Sequence, residues 1–203
     1  MTRIAALVLA AGASRRMGSM KLLLPLAGRP LLQHVLDAVA GAALDGIVLV
    51  VGAQAAAIEA AVLLPAHCRV VRNPAPEAGQ SRSLACGLAA LGGDVDAALV
   101  LLGDQPGVTS ELIERVAAEF RTGATPAVRP VWRDERGAAV PGHPVALARS
   151  LWSEVTRLEG DEGARALWRA HPEWMHEVEL PGPPLRDVDD RDDYRRAVAA
   201  GRA

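Results

Sequence analysis

The chain has 203 residues, of which 50% are apolar, 3% aromatic and 23% charged, so it is long enough for one domain with a substantial core. Its formal net charge is −2 and no run of basic residues could follow a nucleic-acid backbone, which argues against nucleic acid as a partner. Two cysteines without metal-ligand spacing, and no apolar stretch of roughly 18 residues, indicate a soluble cytoplasmic protein that does not span a membrane.

Four apolar segments of strand length alternate with helical patterns in the first half of the chain. The strand-like segments are 4–9, 46–51, 67–71 and 97–102, and the helical patterns are 31–40, 53–64, 81–91 and 110–120. The strand-like segments do not alternate polar with apolar residues, so both faces of their sheet should be covered. This order predicts a doubly wound α/β domain with a mostly parallel sheet, whose ligands bind at the carboxyl ends of the strands.

The second half of the chain does not continue this regular alternation of strands and helices. Short apolar pieces at 127–132 and 138–140 flank a charged turn and predict a hairpin. The remaining pattern predicts helices near 147–157, 163–170 and 190–200, a strand at 174–180 and one more short strand at 185–188. No linker divides the chain, so this half is interpreted as a lid or a substrate-facing elaboration of the first.

The segment LAAGASRRMGSMK, residues 9–21, follows the first strand and has the composition of a phosphate-binding loop. It is neither of two common phosphate loops: Ser19, not lysine, follows Gly18, and Ala13 and Ser14 interrupt a dinucleotide fingerprint. Small residues let a nucleotide approach the backbone, and nearby cations could bind a triphosphate. The small residues are Ala10, Ala11 and Gly12, and the cations are Arg15, Arg16 and Lys21. The alternative is a surface loop with ordinary solvated charges.

Carboxylates follow two further apolar segments. Asp104 in LLGDQP comes directly after a buried strand, where a divalent cation could join it to substrate phosphates, and Mg²⁺ prefers such oxygen ligands. Asp187 and Asp189 alternate along the chain, so both could face one side, and Asp187 is slightly favoured as the second metal ligand. The alternatives are a turn aspartate at Asp104 and an acidic cap for the helix that starts near Asp190.

The loop NPAPEAGQSRSL, residues 73–84, could close over a base. Gly79 permits a turn, and Ser81 or Ser83 could cap the following helix. Taken alone, the segment is a capped helix start.

Six segments together resemble the MobA-like nucleotidyltransferases. They are LAAGASRRMGSMKLLLPLAGRPLL (9–32), NPAPEAGQSRSL (73–84), LLGDQP (101–106), PGHPVAL (141–147), GDEGAR (160–165) and DVDDRDDY (187–194). LAAG together with GQSRSL, GDQP, GHPV and GDEGAR resembles the MocA-like molybdenum cofactor cytidylyltransferase branch, whereas the guanylyltransferase branch more often reads LAGG. The last segment departs from the family pattern, since Asp190 and Arg191 stand where a Thr-Pro pair is common.

The resemblance implies a Rossmann-like three-layer sandwich of the nucleotide-diphospho-sugar transferase type. It implies one domain over residues 1–203, with the nucleotide bound by the N-terminal half and the acceptor by the C-terminal half. The implied reaction uses Mg²⁺ to transfer CMP from CTP to the terminal phosphate of a molybdopterin-type acceptor, with release of pyrophosphate. A molybdoenzyme would then receive the product.

The resemblance also implies a set of site residues. Nucleotide contacts fall on Leu9, Ala10, Ala11, Gly12, Arg15, Lys21, Asn73, Gly79 and Ser83. The catalytic set is Lys21, Arg16 and Asp104, the acceptor side is His143, Asp161 and Arg165, and the metal ligands are Asp104 and Asp187.

Other functions are compatible with the same sequence. The nearest are the same transfer with GTP or with another phosphorylated acceptor. Another is a non-catalytic protein that binds nucleotide or cofactor. A nicotinamide-dependent oxidoreductase is disfavoured because the glycine fingerprint of dinucleotide-binding proteins is missing.

Overall fold

The structure is a computed structural model that describes residues 1–12, 20–157 and 165–202, and the side chains of these ranges except 165–166 and 201–202. The first half contains β1 (Ile4–Ala10), β2 (Pro25–Leu26), β3 (Arg29–Pro30), α1 (Leu31–Ala40), β4 (Gly46–Val51), α2 (Ala55–Ala61), β5 (Cys68–Arg72), α3 (Gln80–Ala90), β6 (Ala97–Leu102) and α4 (Ser110–Arg121). The second half contains β7 (Ala127–Arg133), β8 (Ala139–Pro141), β9 (Val145–Ala148), α5 (Trp152–Thr156), α6 (Arg165–Ala170), β10 (Met175–Glu179) and α7 (Arg191–Ala197).

Within the described residues, eight strands form one twisted sheet whose main path runs β10-β7-β9-β6-β1-β4-β5, with β8 paired to β7. The pairs among β1, β4, β5 and β6 are parallel, and so is the β7–β10 pair. β9 runs antiparallel to both β6 and β7. The expected mostly parallel sheet is therefore confirmed, with β9 as the reversed strand near its centre.

Helices cover both faces of the sheet, which gives three layers. Every residue of β1 is buried, and its side chains point alternately to the two faces. Ile4 and Val8 pack in a core that includes residues of α1 and α4. Leu7 packs in the opposite core, which includes residues of α3 and α5. This is the Rossmann-like three-layer arrangement that the family resemblance implied.

Two predicted elements differ from the structure. The helix expected near 147–157 is present only as α5 from Trp152, because residues 147 and 148 end β9, which is inserted between β6 and β7. Residues 185–188 form no strand: Pro183 and Pro184 lack N–H donors, and the Val188 N–H donates to the carbonyl of Asp104 (3.0 Å).

The helices α3 and α4 begin in different ways. Thr109 caps α4 by accepting a hydrogen bond from the Leu112 N–H (3.3 Å). Ser81 and Ser83 do not cap α3, because this helix already begins at Gln80 and both serines lie buried within it. In the described ranges, no helix is both long and apolar enough to cross a membrane.

Candidate functional site

The chain segments that leave β1 and β6 meet at one edge of the sheet. The two strands are adjacent and parallel, with Leu9 opposite Leu102. Just past the strand ends, the Gly103 N–H donates to the carbonyl of Leu9 (2.9 Å). The residues that follow β1 and those that follow β6, including Asp104, therefore leave the sheet side by side. This is the edge where ligands of parallel sheets are expected to bind.

Lys21 joins two carboxylates at this edge. Its Nζ lies 2.8 Å from Asp104 Oδ2 and 2.9 Å from Asp189 Oδ1, and only 11% of its side chain is exposed. Burial alone would lower the pKa of Lys21, but the attraction and hydrogen bonds of Asp104 and then Asp189 outweigh it and raise this pKa. Lys21 is therefore a firmly charged ammonium held by two anions.

Asp187 lies in the same group of charges. It accepts a hydrogen bond from Gln105 Nε2 (2.6 Å) and is half-buried. Burial raises the pKa of Asp187, the Gln105 hydrogen bond opposes this, and the charges of Asp104 and Asp189 raise it further. We call Lys21, Asp104, Asp187 and Asp189 the charged edge.

The donor set of the charged edge fits a divalent cation that is shared with substrate. Asp104 Oδ1 is buried and finds no hydrogen-bond partner within the described part of the chain, so one oxygen could serve a ligand. In the part of the chain that the structure describes, no three His, Cys, Asp or Glu side chains form a metal cage by themselves. Mg²⁺ is commonly held by one or two carboxylates plus phosphates, so Asp104 with Asp187 or Asp189 would suffice.

A cavity of about 690 Å³ opens beside the charged edge. Leu9, Ser81 and Gln105 line it on the side of the parallel strands, together with Asp187 and Asp189. Both acidic residues face this space although their segment is not a strand, because the intervening Val188 is buried in the core. The expectation that Asp187 and Asp189 share one side is therefore confirmed.

Further residues that line the cavity come from the second half of the chain. They include Trp132, Gly142, His143 and Trp168, which we call the aromatic wall. Gly142 lies so close to Trp132 that an added Cβ would be 2.5 Å from the ring carbon Cζ3. The predicted acceptor residue His143 thus faces the same cavity as the charged edge.

The loop between β5 and α3 is stabilised by hydrogen bonds of a buried asparagine. Asn73 is buried, donates from Nδ2 to Ser83 Oγ (3.0 Å) and accepts from the Ala75 N–H through Oδ1 (3.0 Å). Gly79 has φ 98°, a conformation that favours glycine, just before α3. Asn73 and Ser83 are not among the described residues that line the cavity, so their contacts fix the loop that carries Gln80 and Ser81.

The remaining predicted residues divide into two groups. Ala10 and Ala11 are buried, Gly12 is exposed, and a Cβ added to Gly12 would meet no described atom within 4 Å. Arg15, Arg16 and Asp161 lie outside the described residues, and Arg165 begins α6 but its side chain is not described.

Sequence reasoning missed two residues of this site and ranked a third below its neighbour. Gln105 anchors Asp187, and its position directly after Asp104 in GDQP was the available signal. Arg186 lines the cavity as an exposed cation next to Asp187. Asp189 was ranked below Asp187, yet it is Asp189 that contacts Lys21.

Comparison with known proteins agrees with this geometry. Residues 6–175 match the family described as MobA-like NTP transferase domain. The chain belongs to this family of nucleotidyltransferases. The expected family and fold are thereby confirmed, whereas the match does not specify the nucleotide base or the acceptor.

Solved relatives extend over almost the whole chain. The crystal structure of Rv0371c from Mycobacterium tuberculosis H37Rv has a TM-score of 0.84 and 33% identity, and the match covers 98% of each chain. The structure of Rv0371c in complex with manganese has a TM-score of 0.80 and 32% identity, with coverage of 98% of this chain and 100% of that chain.

Curated relatives carry different activities in their names. Nicotine blue oxidoreductase of Paenarthrobacter nicotinovorans is 31% identical over 174 residues, which is 85% of this chain and 84% of that protein. The bifunctional protein GlmU of Paramagnetospirillum magneticum is 39% identical over 138 residues, or 63% of this chain. The match spans only 28% of the length of that GlmU, so it concerns one part of a longer protein.

Proposed function

We propose that the protein transfers CMP from CTP to the terminal phosphate of a molybdopterin-type acceptor and releases pyrophosphate. The observation that carries this proposal is the charged edge, two of whose carboxylates, Asp187 and Asp189, line a 690 Å³ cavity that the aromatic wall also lines. Such a space has room for a polyphosphate at one end and a planar, phosphorylated acceptor at the other.

The charged edge would handle the triphosphate. Lys21 is a mobile point charge that can contact phosphate oxygens, and Arg15 and Arg16 are proposed to add cations from the same loop. Asp104 and Asp187 would hold Mg²⁺, which offsets the charge that grows on pyrophosphate as it leaves. The manganese complex of the related Rv0371c supports the use of a divalent cation by this site.

The N-terminal half would bind the nucleoside. No described atom lies within 4 Å of a Cβ built on Gly12, so a base or ribose could approach the backbone after β1. The turn at Gly79 presents the first residues of α3 to the cavity, where Gln80 and Ser81 offer polar groups. The buried bond between Asn73 and Ser83 would keep this turn in place.

The C-terminal half would bind the acceptor. Trp132 and Trp168 supply apolar surface, while His143 and Arg186 bring polar and positive groups to the same cavity. Asp161 and Arg165 remain proposed members of this side. The acceptor phosphate is already largely ionised at neutral pH, so it can attack the α-phosphorus without a strong general base. Positioning and electrostatic stabilisation are then the protein's main contributions.

A pyrophosphate-release assay with four nucleotides tests this proposal. Purified protein, Mg²⁺ and molybdopterin, with or without molybdenum, should release pyrophosphate faster with CTP than with GTP, ATP or UTP. Equal or faster release with GTP would assign the protein to guanylyl transfer. Nucleotide binding without release for any acceptor would point to a non-catalytic carrier, and release only with a sugar phosphate would change the acceptor.

An oxidoreductase is the second candidate, since a relative that covers 85% of this chain is named nicotine blue oxidoreductase. The interrupted glycine pattern in residues 9–21 weighs against a dinucleotide site of the Rossmann fingerprint type. Oxidation of NADH or NADPH by the purified protein, with a quinone or dye acceptor and without pyrophosphate release, would favour this candidate.

A further inference from the structure

Lys21 is the single lysine of the chain; the other 21 of its 22 Lys and Arg residues are arginines. This lysine lies between Asp104 and Asp189 at the edge of the sheet, 2.8 Å and 2.9 Å from their oxygens. Its side chain is only 11% exposed, so its contact with Asp104 is made largely out of solvent, whereas the Asp189 side chain is 49% exposed. A buried charged group is costly unless ions of opposite charge contact it, so Lys21 depends on these carboxylates.

The partners of Lys21 are also the oxygens that a divalent cation would use. Among the described side chains of the charged edge, three carboxylates face one ammonium, which leaves a formal excess of two negative charges. One oxygen of Asp104 is bound to Lys21, while the other is buried and has no hydrogen-bond partner among the described residues. A cation that takes up these carboxylates would therefore compete with the ammonium for them.

We propose that Lys21 is an exchangeable cation that holds Asp104 and Asp189 before substrate arrives and leaves them for the triphosphate when a divalent cation binds. The inference rests on the proposed metal role of Asp104, but it concerns the order of loading rather than the reaction. Lys21 weakens metal binding in the absence of nucleotide, so the metal and the triphosphate enter together.

The side chain at position 21 suits this exchange. An ammonium is a compact charge on a flexible four-carbon stem, so it can leave one set of anions for another by rotating its side chain. A guanidinium forms rigid two-pronged contacts with carboxylates and would stay on them. All 21 remaining Lys and Arg positions of the chain are arginine, so Lys21 is the exception, and the exchange is a task that arginine does less well.

Binding of Mn²⁺ from MnCl₂ alone tests the competition. Lys21→Met keeps the length of the side chain and removes its charge, so the variant should bind Mn²⁺ about tenfold more tightly than the wild type by calorimetry. Lys21→Arg should bind Mn²⁺ no more tightly than the wild type. Equal or weaker binding by Lys21→Met would overturn the proposal.

A matched control removes a positive charge elsewhere. Arg133 pairs with Glu179 (2.9 Å) on an exposed part of β7, away from the cavity lining. Arg133→Met changes the net charge by the same amount and should leave the Mn²⁺ affinity unchanged. A matching gain in Arg133→Met would assign the effect to overall charge and would also overturn the proposal.

Acylation of the wild-type protein gives a second measurement that does not depend on a variant's folding. Because Lys21 is the only lysine, acetylation by a succinimidyl ester reports on one side-chain amine, and the exposed α-amine of Met1 is an internal control. Mg²⁺ alone should accelerate acetylation of Lys21 several-fold but not that of Met1. Adding CTP with Mg²⁺ should then protect Lys21.

These outcomes separate the inference from the proposed function. An unchanged acetylation rate of Lys21 at saturating Mg²⁺ would show that the lysine does not leave its carboxylates, and the exchange would be wrong. Failure of CTP to release pyrophosphate with any acceptor would instead reject the proposed reaction, while the Mn²⁺ affinities would still decide the exchange.

Discussion

The charged edge and the aromatic wall both contribute residues to one cavity, yet they are built in different ways. The charged edge consists of ion pairs at the ends of parallel strands and on the segment before α7. The aromatic wall is packed around Trp132, which is 4% exposed and lies on β7, a strand that pairs antiparallel with β8 and β9. Charge should therefore decide turnover on one side, and shape should decide acceptor binding on the other.

The largest effect should come from Asp104→Asn. The change keeps the shape of the side chain but removes a charge that contacts Lys21 and is proposed to hold Mg²⁺. We expect turnover to fall on the order of 10²–10³-fold, the range found when one stabilising group for transition-state charge is lost. Steady-state pyrophosphate release measures it. Glu59→Gln, which breaks an exposed pair with Arg72 (3.3 Å), is the control and should retain activity.

Turnover of Asp104→Asn within a few-fold of wild type would remove Asp104 from the proposed site. It would also contradict the expectation that charge at the charged edge decides turnover.

The next effect concerns Gly142→Ala in the aromatic wall. The new methyl group would lie 2.5 Å from the Trp132 ring, so the ring must move. Overpacking of this kind costs about 1–3 kcal/mol, which urea unfolding can measure. The KM for the acceptor should rise while CTP affinity stays unchanged. A rise in the KM for CTP alone would place the nucleotide, not the acceptor, against the aromatic wall.

Asn73→Ala should act on the nucleotide side through the loop. It leaves the Ser83 hydroxyl and the Ala75 N–H without the partner that Asn73 provides. Lost buried hydrogen bonds of this type cost about 1–3 kcal/mol. Chemical unfolding should show this loss, and the KM for CTP should rise. Ser83→Ala removes only one of the two bonds and should have the smaller effect; the reverse order would contradict the role given to Asn73.

The smallest effect is expected for Asp190→Ala at the start of α7. Asp190 caps the helix by accepting from the N–H groups of Asp192 and Asp193 (2.8 Å each), and Asp193 completes a capping box. Loss of a cap costs about 1 kcal/mol, which a thermal melt detects. Asp192→Ala, which breaks only the exposed pair with Arg195, should have a smaller effect on Tm. A large loss of turnover in Asp190→Ala would tie this cap to the placement of the neighbouring Asp189.

The first half of the fold was more predictable than the second. The strands β1, β4 and β6 are continuous apolar runs bounded by helical patterns, so their period and length suffice to assign them. β9 has only four residues and lies inside an alanine-rich run, where a helix and a buried strand give the same local pattern. Its identity depends on β6 and β7, which enclose it.

The sequence alone determined the family motifs and the alternating strand and helix order, and it proposed Lys21 and Asp104 as candidate functional residues. Tertiary structure decided which groups meet: Lys21 contacts Asp104 across 83 residues of chain and Asp189 across 168. Hydrophobic periodicity reports only on neighbours along the chain, whereas the order of strands in the sheet sets these distant contacts. The pairing of Asp189 with Lys21, and of Asp187 with Gln105, could therefore be read only from the folded chain.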